Sequence, residues 1–427
     1  MRIRSAVAIL AAVFSVVAAG CAHGGSLMPG VGGDGTQARD RTHARVQPSA
    51  GMKHLLTWDN LGWKGPTLHP WSLATPWLNY ASVRFVDSAA IYAAGILPVV
   101  YTNPNRQGPG DPMYTNDEST FAHDCNGARI QSLGIGQGKF LMDPHSVDLA
   151  ANWLQYVQNE VLGGASFAYV FEDKADTINK TSATPCNFDQ TDWTAATNAM
   201  DLILPFTIIY NSLGNTAGPN GPHIAPSFDL NATTAGGMSE DCYVTQNAQP
   251  YEYSLTWANK ENTEIDMAAA GKLFVCDATA PASATGAAAL RIYYLASALL
   301  TYDPNTTIFE TVFHTPSGFH VLPETQLVPK GPLVGQPSTI DGLFQSGGGY
   351  GREYSHCYYA GNDVGPCAAF VNPNKPGTAS APFPWPSKYS HSLVVSGSDV
   401  LDGGTASTTG GPPPATLDPG TAVIAFQ

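Results

Sequence analysis

The chain has 427 residues, with 20 basic against 34 acidic side chains and a formal charge of −14. A field of that sign repels nucleic acid and other polyanions, and no local basic run offsets it. Charged residues make up only 13%, while 43 glycines and 33 prolines are present, which suits a loop-rich exported globule with neutral polar ligands.

At the N-terminus, Arg2 and Arg4 precede an uncharged apolar run from Ala6 to Ala19, which closes in Ala18-Ala19-Gly20-Cys21. That layout predicts a signal peptide over residues 1–20, with a core too short to span a bilayer. The cysteine after Ala-Ala-Gly resembles the lipobox of bacterial lipoproteins. Cys21 is then the lipidated first residue, and the protein sits on the bacterial cell envelope by lipid alone. The alternative is an ordinary signal peptide with a chance cysteine. Residues 21–50 are rich in Gly, Ser, Thr and Arg without apolar periodicity and read as a flexible tether.

Eight short apolar runs follow in chain order. They are HLLTWDN from His54, SVRFVD from Ser82, ILPVVYTN from Ile96, FAYVFED from Phe167, PFTIIYN from Pro205, MSEDCYV from Met238, KLFVCD from Lys272 and TTIFETVF from Thr306. Runs that are apolar along most of their length suit strands buried on both faces of a parallel sheet. Helical spacing lies between them. Asp143-Pro144 reads as a cap and first-turn proline ahead of Val147, Ala150, Leu154, Val157 and Val161. A second helix runs through Leu290, Tyr294 and Leu299 to Asp303-Pro304. Eight strands with intervening helices predict an α/β fold, a (β/α)8 TIM barrel over residues 51–335, with 103–140 as a long loop on its active face. From residue 336 to 427 glycine, proline and short β runs predict a small C-terminal antiparallel β-sandwich domain.

Acids recur where these strands should end: Asp59, Asp87, Glu172 with Asp173, Glu240 with Asp241, and Asp277. In a barrel those ends share one face. Glycosidic cleavage needs one carboxylic acid to protonate the leaving oxygen and a second carboxylate to attack the sugar or activate water. Taken singly, each acid is more often a helix cap or a solvated loop residue.

Several segments resemble TIM-barrel glycoside hydrolases, in particular poorly characterised glycoside-hydrolase-like families. HLLTWDNLGW looks like their first strand. FAYVFEDKAD looks like the fourth, with Asp173 at the position of an aspartate after an apolar pair. IIYNS resembles the fifth strand ending in Asn, here Asn211, and GGMSEDCY the sixth with its glutamate, here Glu240. YGREYSHCYYAG followed by AAFVNPN resembles their C-terminal β domain. The best-known clan of these barrels carries Asn-Glu on strand four, where this chain has Glu172-Asp173, and its nucleophile usually ends strand seven, where Asp277 stands. The resemblance therefore implies Asp173 and Glu240 as the catalytic pair, with Glu172 as the substitute for Asp173 and the roles of acid and nucleophile open.

Trp58, Trp63, Trp71 and Trp77 cluster after the first run, and Tyr101 and Tyr114 near the third. Sugar faces stack on such rings. Trp58 and Trp63 are the expected platforms, although core packing claims most tryptophans. Asp59, Tyr101, Asp87, Asn211 and Asp277 complete the expected substrate-binding set, and Asn103 and Arg106 are further candidates for hydroxyls. Beyond Cys21 six cysteines remain, an even number that implies disulfides in an exported chain. Cys357 and Cys367 flank a short loop, Cys242 and Cys276 fall on neighbouring strands, and Cys125 and Cys186 fall in the loops after strands three and four. No zinc spacing, serine-hydrolase elbow or phosphate loop occurs, and Gly134, Gly136 and Gly138 lack dinucleotide-loop spacing. The expected protein is a monomeric glycoside hydrolase without cofactor or metal, acting on an extracellular or cell-envelope polysaccharide or oligosaccharide. The competing reading is a non-catalytic carbohydrate-binding lipoprotein on a degenerate barrel.

Overall fold

The structure, a computed structural model, describes residues 54–59, 77–133, 138–173, 178, 181–211, 213, 234–245, 251–278, 287–310, 322–396 and 404–427. The expected signal segment, Cys21, the tether, Trp63, Trp71, Gly134 and Gly136 lie outside these residues.

Eight parallel strands form a closed barrel: β1 Thr57–Asp59, β2 Tyr80–Val83, β3 Leu97–Thr102, β4 Tyr169–Glu172, β5 Ile208–Asn211, β6 Thr234–Glu240, β7 Leu273–Asp277 and β8 Thr307–Glu310. Each pairs with the next in sequence, and β8 closes onto β1 through Thr57↔Phe309 and Trp58↔Glu310. Among the described residues five helices run between strands. They are α1 Phe85–Ala93 after β2, α2 Val147–Leu162 after β3, α3 Gln190–Asp201 after β4, α4 Ser254–Ala269 after β6 and α5 Ala287–Thr301 after β7. This is the (β/α)8 architecture.

Alternation along each strand sorts the core into two layers. Trp58, Tyr80, Val99, Tyr169, Phe171, Ile209, Met238, Val275 and Ile308 form one buried cluster inside the barrel. Val83, Val100, Val170, Ile208, Phe274 and Phe309 belong to the cluster that meets the helices. Gly236 in β6 is required by close approach, since a Cβ there would collide with the Leu273 carbonyl of β7.

Three local expectations change. The second run enters its strand earlier, at Tyr80, and its Phe85, Val86 and Asp87 begin α1. Asp87 is therefore not a strand-end acid; it sits in the first turn of α1, where negative charge suits the helix dipole, and pairs with Arg84 at 2.7 Å. The cap of α2 is Ser146, whose side chain accepts from the Leu149 N–H, while Asp143 accepts from His145 N–H. The long loop after β3 carries a short antiparallel pairing of Arg106–Gln107 with Phe140–Leu141, and the Cys125–Cys186 bridge ties it to the segment after β4.

At the C-terminus β9 Leu327–Pro332, β10 Gly349–Tyr359, β11 Asn362–Asn372 and β12 Thr421–Phe426 form an antiparallel sheet in that order, with His391–Ser392 on the outer edge. The sheet thus starts upstream of residue 336. One face packs on α5, and its residues Tyr354, Val371, Ile424 and Phe426 belong to the same buried cluster as the barrel's helix layer. The other face carries Phe370 and Val423 under Phe383, Tyr389 and Leu417 and the ribbon Ala381–Pro382 with Thr416–Leu417. In place of two full sheets face to face, one sheet is covered by a helix on one side and by this ribbon on the other. Arg352 reaches the last turn of α5, donating to the Leu300 carbonyl at 2.9 Å, and Gln336 donates to the Thr301 carbonyl at 2.6 Å. The Tyr354 hydroxyl donates to the Leu299 carbonyl. These donors satisfy carbonyls that a helix end leaves without partners. The described residues form one compact unit.

Candidate active site

The inward face of β4 carries Tyr169 and Phe171, so the next inward position is Asp173, one residue past the strand. Its N–H still bonds the Thr102 carbonyl at 2.9 Å, which holds it in register. Tyr101 donates its phenol proton to Asp173 Oδ2 at 2.7 Å, and Asn103 Nδ2 reaches the same oxygen at 3.2 Å. Burial and the neighbouring Asp173 carboxylate push the Tyr101 phenol far above its usual range, which keeps it a donor.

Asn211, the last residue of β5, joins Asp173 to the next strand but one. Its Nδ2 donates to Asp173 Oδ1 at 2.9 Å and to Glu240 Oε1 at 2.7 Å. Two carboxylate acceptors on one nitrogen fix the amide's orientation, because only the NH2 end can serve both. They also hold those two oxygens within about 5.6 Å of each other, the two bonds laid end to end; the separation expected for a retaining pair is about 5–5.5 Å and for an inverting pair about 6.5–9.5 Å.

Glu240 ends β6, and the turn that follows is tightly tied. Asp241 and Tyr243 take positive φ values of 54° and 61°, a conformation that costs a non-glycine residue on the order of 1 kcal/mol or more. Cys242 between them is bridged to Cys276 of β7, and its N–H bonds the Asp277 carbonyl at 2.9 Å. Lys260 of α4 donates to the carbonyls of Glu240 at 3.1 Å and Asp241 at 2.8 Å. Desolvation lowers the Lys260 pKa, against the pull of the Glu252, Asp241, Glu240 and Asp277 carboxyls.

Glu240 and Asp277 are register partners on β6 and β7. Beyond Asp277, β8 ends in Glu310, an acid that the sequence does not mark as a strand end because it lies inside a longer apolar run. Glu310 is buried, and desolvation followed by the Asp277 carboxylate pushes it well above the usual range, with Asp59 adding to the effect. Five acids on strand ends or one residue beyond therefore belong to this region: Asp59, Asp173, Glu240, Asp277 and Glu310. Among the described residues no group of three or more His, Cys, Asp or Glu is arranged to hold a metal.

Glu172 does not join them. By alternation it shares the outward face of β4 with Val170, it is fully buried, and it meets Asp201 at the end of α3 while accepting from Asn105 Nδ2 at 2.8 Å. Period-two geometry thus settles which of Glu172 and Asp173 faces the mouth. Trp58 is likewise not a platform. It is 0% exposed inside the barrel, its ring 6.0 Å from that of Phe171. Arg106 is buried in the loop, where its guanidinium donates to Ser132 Oγ at 2.9 Å. Asn103, expected to meet hydroxyls, instead holds the Asp173 carboxylate. A cavity of about 330 Å3 opens beside Tyr101 and Asn103, walled in part by Phe85, Met113, Tyr156 and the Asp111–Lys139 pair.

All three expected bridges are present: Cys125–Cys186, Cys242–Cys276 and Cys357–Cys367. Such bridges belong to an oxidising, extracytoplasmic compartment.

No family model matches the chain. No curated protein matches it either. Among solved structures, the chain is similar to the glycoside hydrolase domain of PelA from Pseudomonas aeruginosa, at 12% identity over 60% of this chain and 94% of that one, with a TM-score of 0.41. It is similar to Aspergillus fumigatus Ega3, solved as a complex with galactosamine, at 14% identity over 62% and 94%, TM-score 0.38. It is also similar to the galactosidase domain of the alpha-galactosidase-sucrose kinase AgaSK, at 9% identity over 90% of this chain and 56% of that one, TM-score 0.45. These likenesses carry no statement about activity; the barrel rests on the strand pairing of the chain itself.

Proposed function

We propose that this protein is a glycoside hydrolase acting on an extracellular or cell-envelope polysaccharide, held at the envelope by a lipid on Cys21, with Asp173 and Glu240 as its two working carboxyls. The observation that carries the reading is the shared Asn211 amide, which keeps one oxygen of each carboxyl within about 5.6 Å of the other, a limit that a retaining pair meets and an inverting pair exceeds. Asp173 accepts hydrogen bonds on both oxygens from Tyr101, Asn103 and Asn211, an arrangement that orients a carboxylate for attack. In the first step an Asp173 oxygen bonds the anomeric carbon while Glu240 gives its proton to the departing glycosidic oxygen. In the second, Glu240 takes a proton from water, whose oxygen displaces Asp173 and restores both groups.

The test is release of new reducing ends from a panel of bacterial and fungal cell-wall and exopolysaccharides. The wild type should release them, and Asp173→Asn and Glu240→Gln should each fall to background with melting temperature retained. Turnover with retained anomeric configuration, read by NMR of the first product, supports the assigned roles. Full activity in the double variant ends the reading. Tight glycan binding with no release by the wild type moves the protein to the class of carbohydrate-binding barrels.

A further inference from the structure

Besides the Cys242 N–H bond to the Asp277 carbonyl of β7, four contacts hold residues 240–243 to α4 and β7. Two are the Lys260 ammonium bonds to the carbonyls of Glu240 and Asp241. The third is the bond from the Tyr243 hydroxyl to Glu264 Oε2 at 3.0 Å, and the fourth is the Cys242–Cys276 bridge. Two of the four residues are non-glycine residues in left-handed backbone, a conformation that persists only where the surroundings over-determine it. Lys260 is the one member of this clamp that grips Glu240's own residue. Its Nζ also lies 3.5 Å from Ser239 Oγ, so it spans the last three residues that lead into the turn.

Resting on the two-carboxylate reading above, we propose that Lys260 is a positioning residue, whose ammonium fixes the end of β6 so that the Glu240 carboxyl meets Asn211 opposite Asp173. Lys260 hydrogen-bonds the backbone carbonyl of Glu240, so it acts through the strand end and not on the sugar. Two features separate this role from general helix–strand glue. The bonds go to carbonyls of the reacting residue and its neighbour, and that neighbour, Asp241, itself holds a left-handed backbone. Neutral Met at this position fills the space of the lysine stem but offers no donor, and Arg restores donors on a longer, planar head.

The experiment compares wild type, Lys260→Met and Lys260→Arg by crystal structure and, on whichever polysaccharide the wild type cleaves, by steady-state kinetics. The expected Lys260→Met structure keeps the barrel and loses the Asn211 Nδ2–Glu240 Oε1 bond. Its kcat falls by about 10- to 100-fold with KM within about threefold, because misplacement of a reacting group by about 1 Å is felt in the chemical step. Lys260→Arg should recover at least part of that loss. An unchanged Glu240–Asn211 contact in Lys260→Met overturns the proposal whatever the kinetics, as does a lowered melting temperature with kcat intact. If the wild type cleaves nothing, the hydrolase reading fails by itself, and the structural comparison still decides whether Lys260 sets the position of Glu240.

Discussion

The carboxyl of Glu172 lies against the carboxyl of Asp201 between β4 and α3, both fully shielded from solvent. Two buried acids in contact cannot both ionise, and desolvation raises Asp201 to about 7 and Glu172 well above its usual value. In the unfolded chain both ionise near pH 4.

Between those limits the folded state binds more protons than the unfolded one. The pair's contribution to stability is therefore complete below about pH 4 and is lost as pH rises through 7. The variant Glu172→Gln/Asp201→Asn removes this dependence. Calorimetric melting across pH 5–8 should show it gaining on the wild type as pH rises, and a difference constant with pH would contradict the pairing.

Asn211 separates two acids that would otherwise face each other. Asn211→Ala should lower kcat/KM by about 10- to 100-fold, the loss of hydrogen bonds to charged groups at about 1.5–3 kcal/mol. Asn211→Asp adds a third carboxyl in the same place and should be worse than Ala, although Asp is the closer isostere. Steady-state rates of the two variants, with melting temperature as control, check the order.

Arg291 and Glu324 form a buried bidentate pair between α5 and the segment that leads into β9, at 0% and 2% exposure. Removing one partner leaves a buried charge, so Glu324→Ala should cost about 3–5 kcal/mol. Chemical denaturation measures this directly. A cost below about 1 kcal/mol would show that water reaches the guanidinium.

The bridges should differ in weight. Cys125–Cys186 spans 61 residues and Cys357–Cys367 spans 10. On loop-closure entropy the first is worth roughly 1.5 kcal/mol more than the second. Paired Cys→Ser variants, compared by unfolding midpoint, test that ranking.

The barrel was legible in the sequence because strands buried on both faces leave uninterrupted apolar runs, and eight of them separated by helical spacing leave few other folds. Strand ends were harder to read. Phe85 and Val86 extend an apolar run across the end of β2 into α1, and Glu310 is hidden inside Thr306–Phe313 because nothing local marks where β8 stops. Asp173 and Glu240 stand out in the sequence as a candidate pair of strand-end acids, but what joins them does not, since the Asn211 amide stands on a third strand. Trp58 shows the converse: a tryptophan beside an acid fits a sugar platform in one dimension, and only the alternation of β1 puts its ring inside the barrel. Lys260 left no signal, because in Ser254–Ala269 polar residues outnumber apolar ones and the buried face includes Glu261 and Glu264.

The donors that close the last turn of α5 bear on how such a chain can be recombined. Arg352, Tyr354 and Gln336 all lie beyond residue 335 and all reach back to carbonyls between Leu299 and Tyr302. A fragment ended at residue 335 would carry a barrel helix with its final turn frayed and its apolar side bare. The inheritable module is thus the barrel and the sheet together. Gene fusions that exchange the C-terminal part for a foreign one should succeed only where the newcomer brings an equivalent arginine, tyrosine and amide to the same helix end.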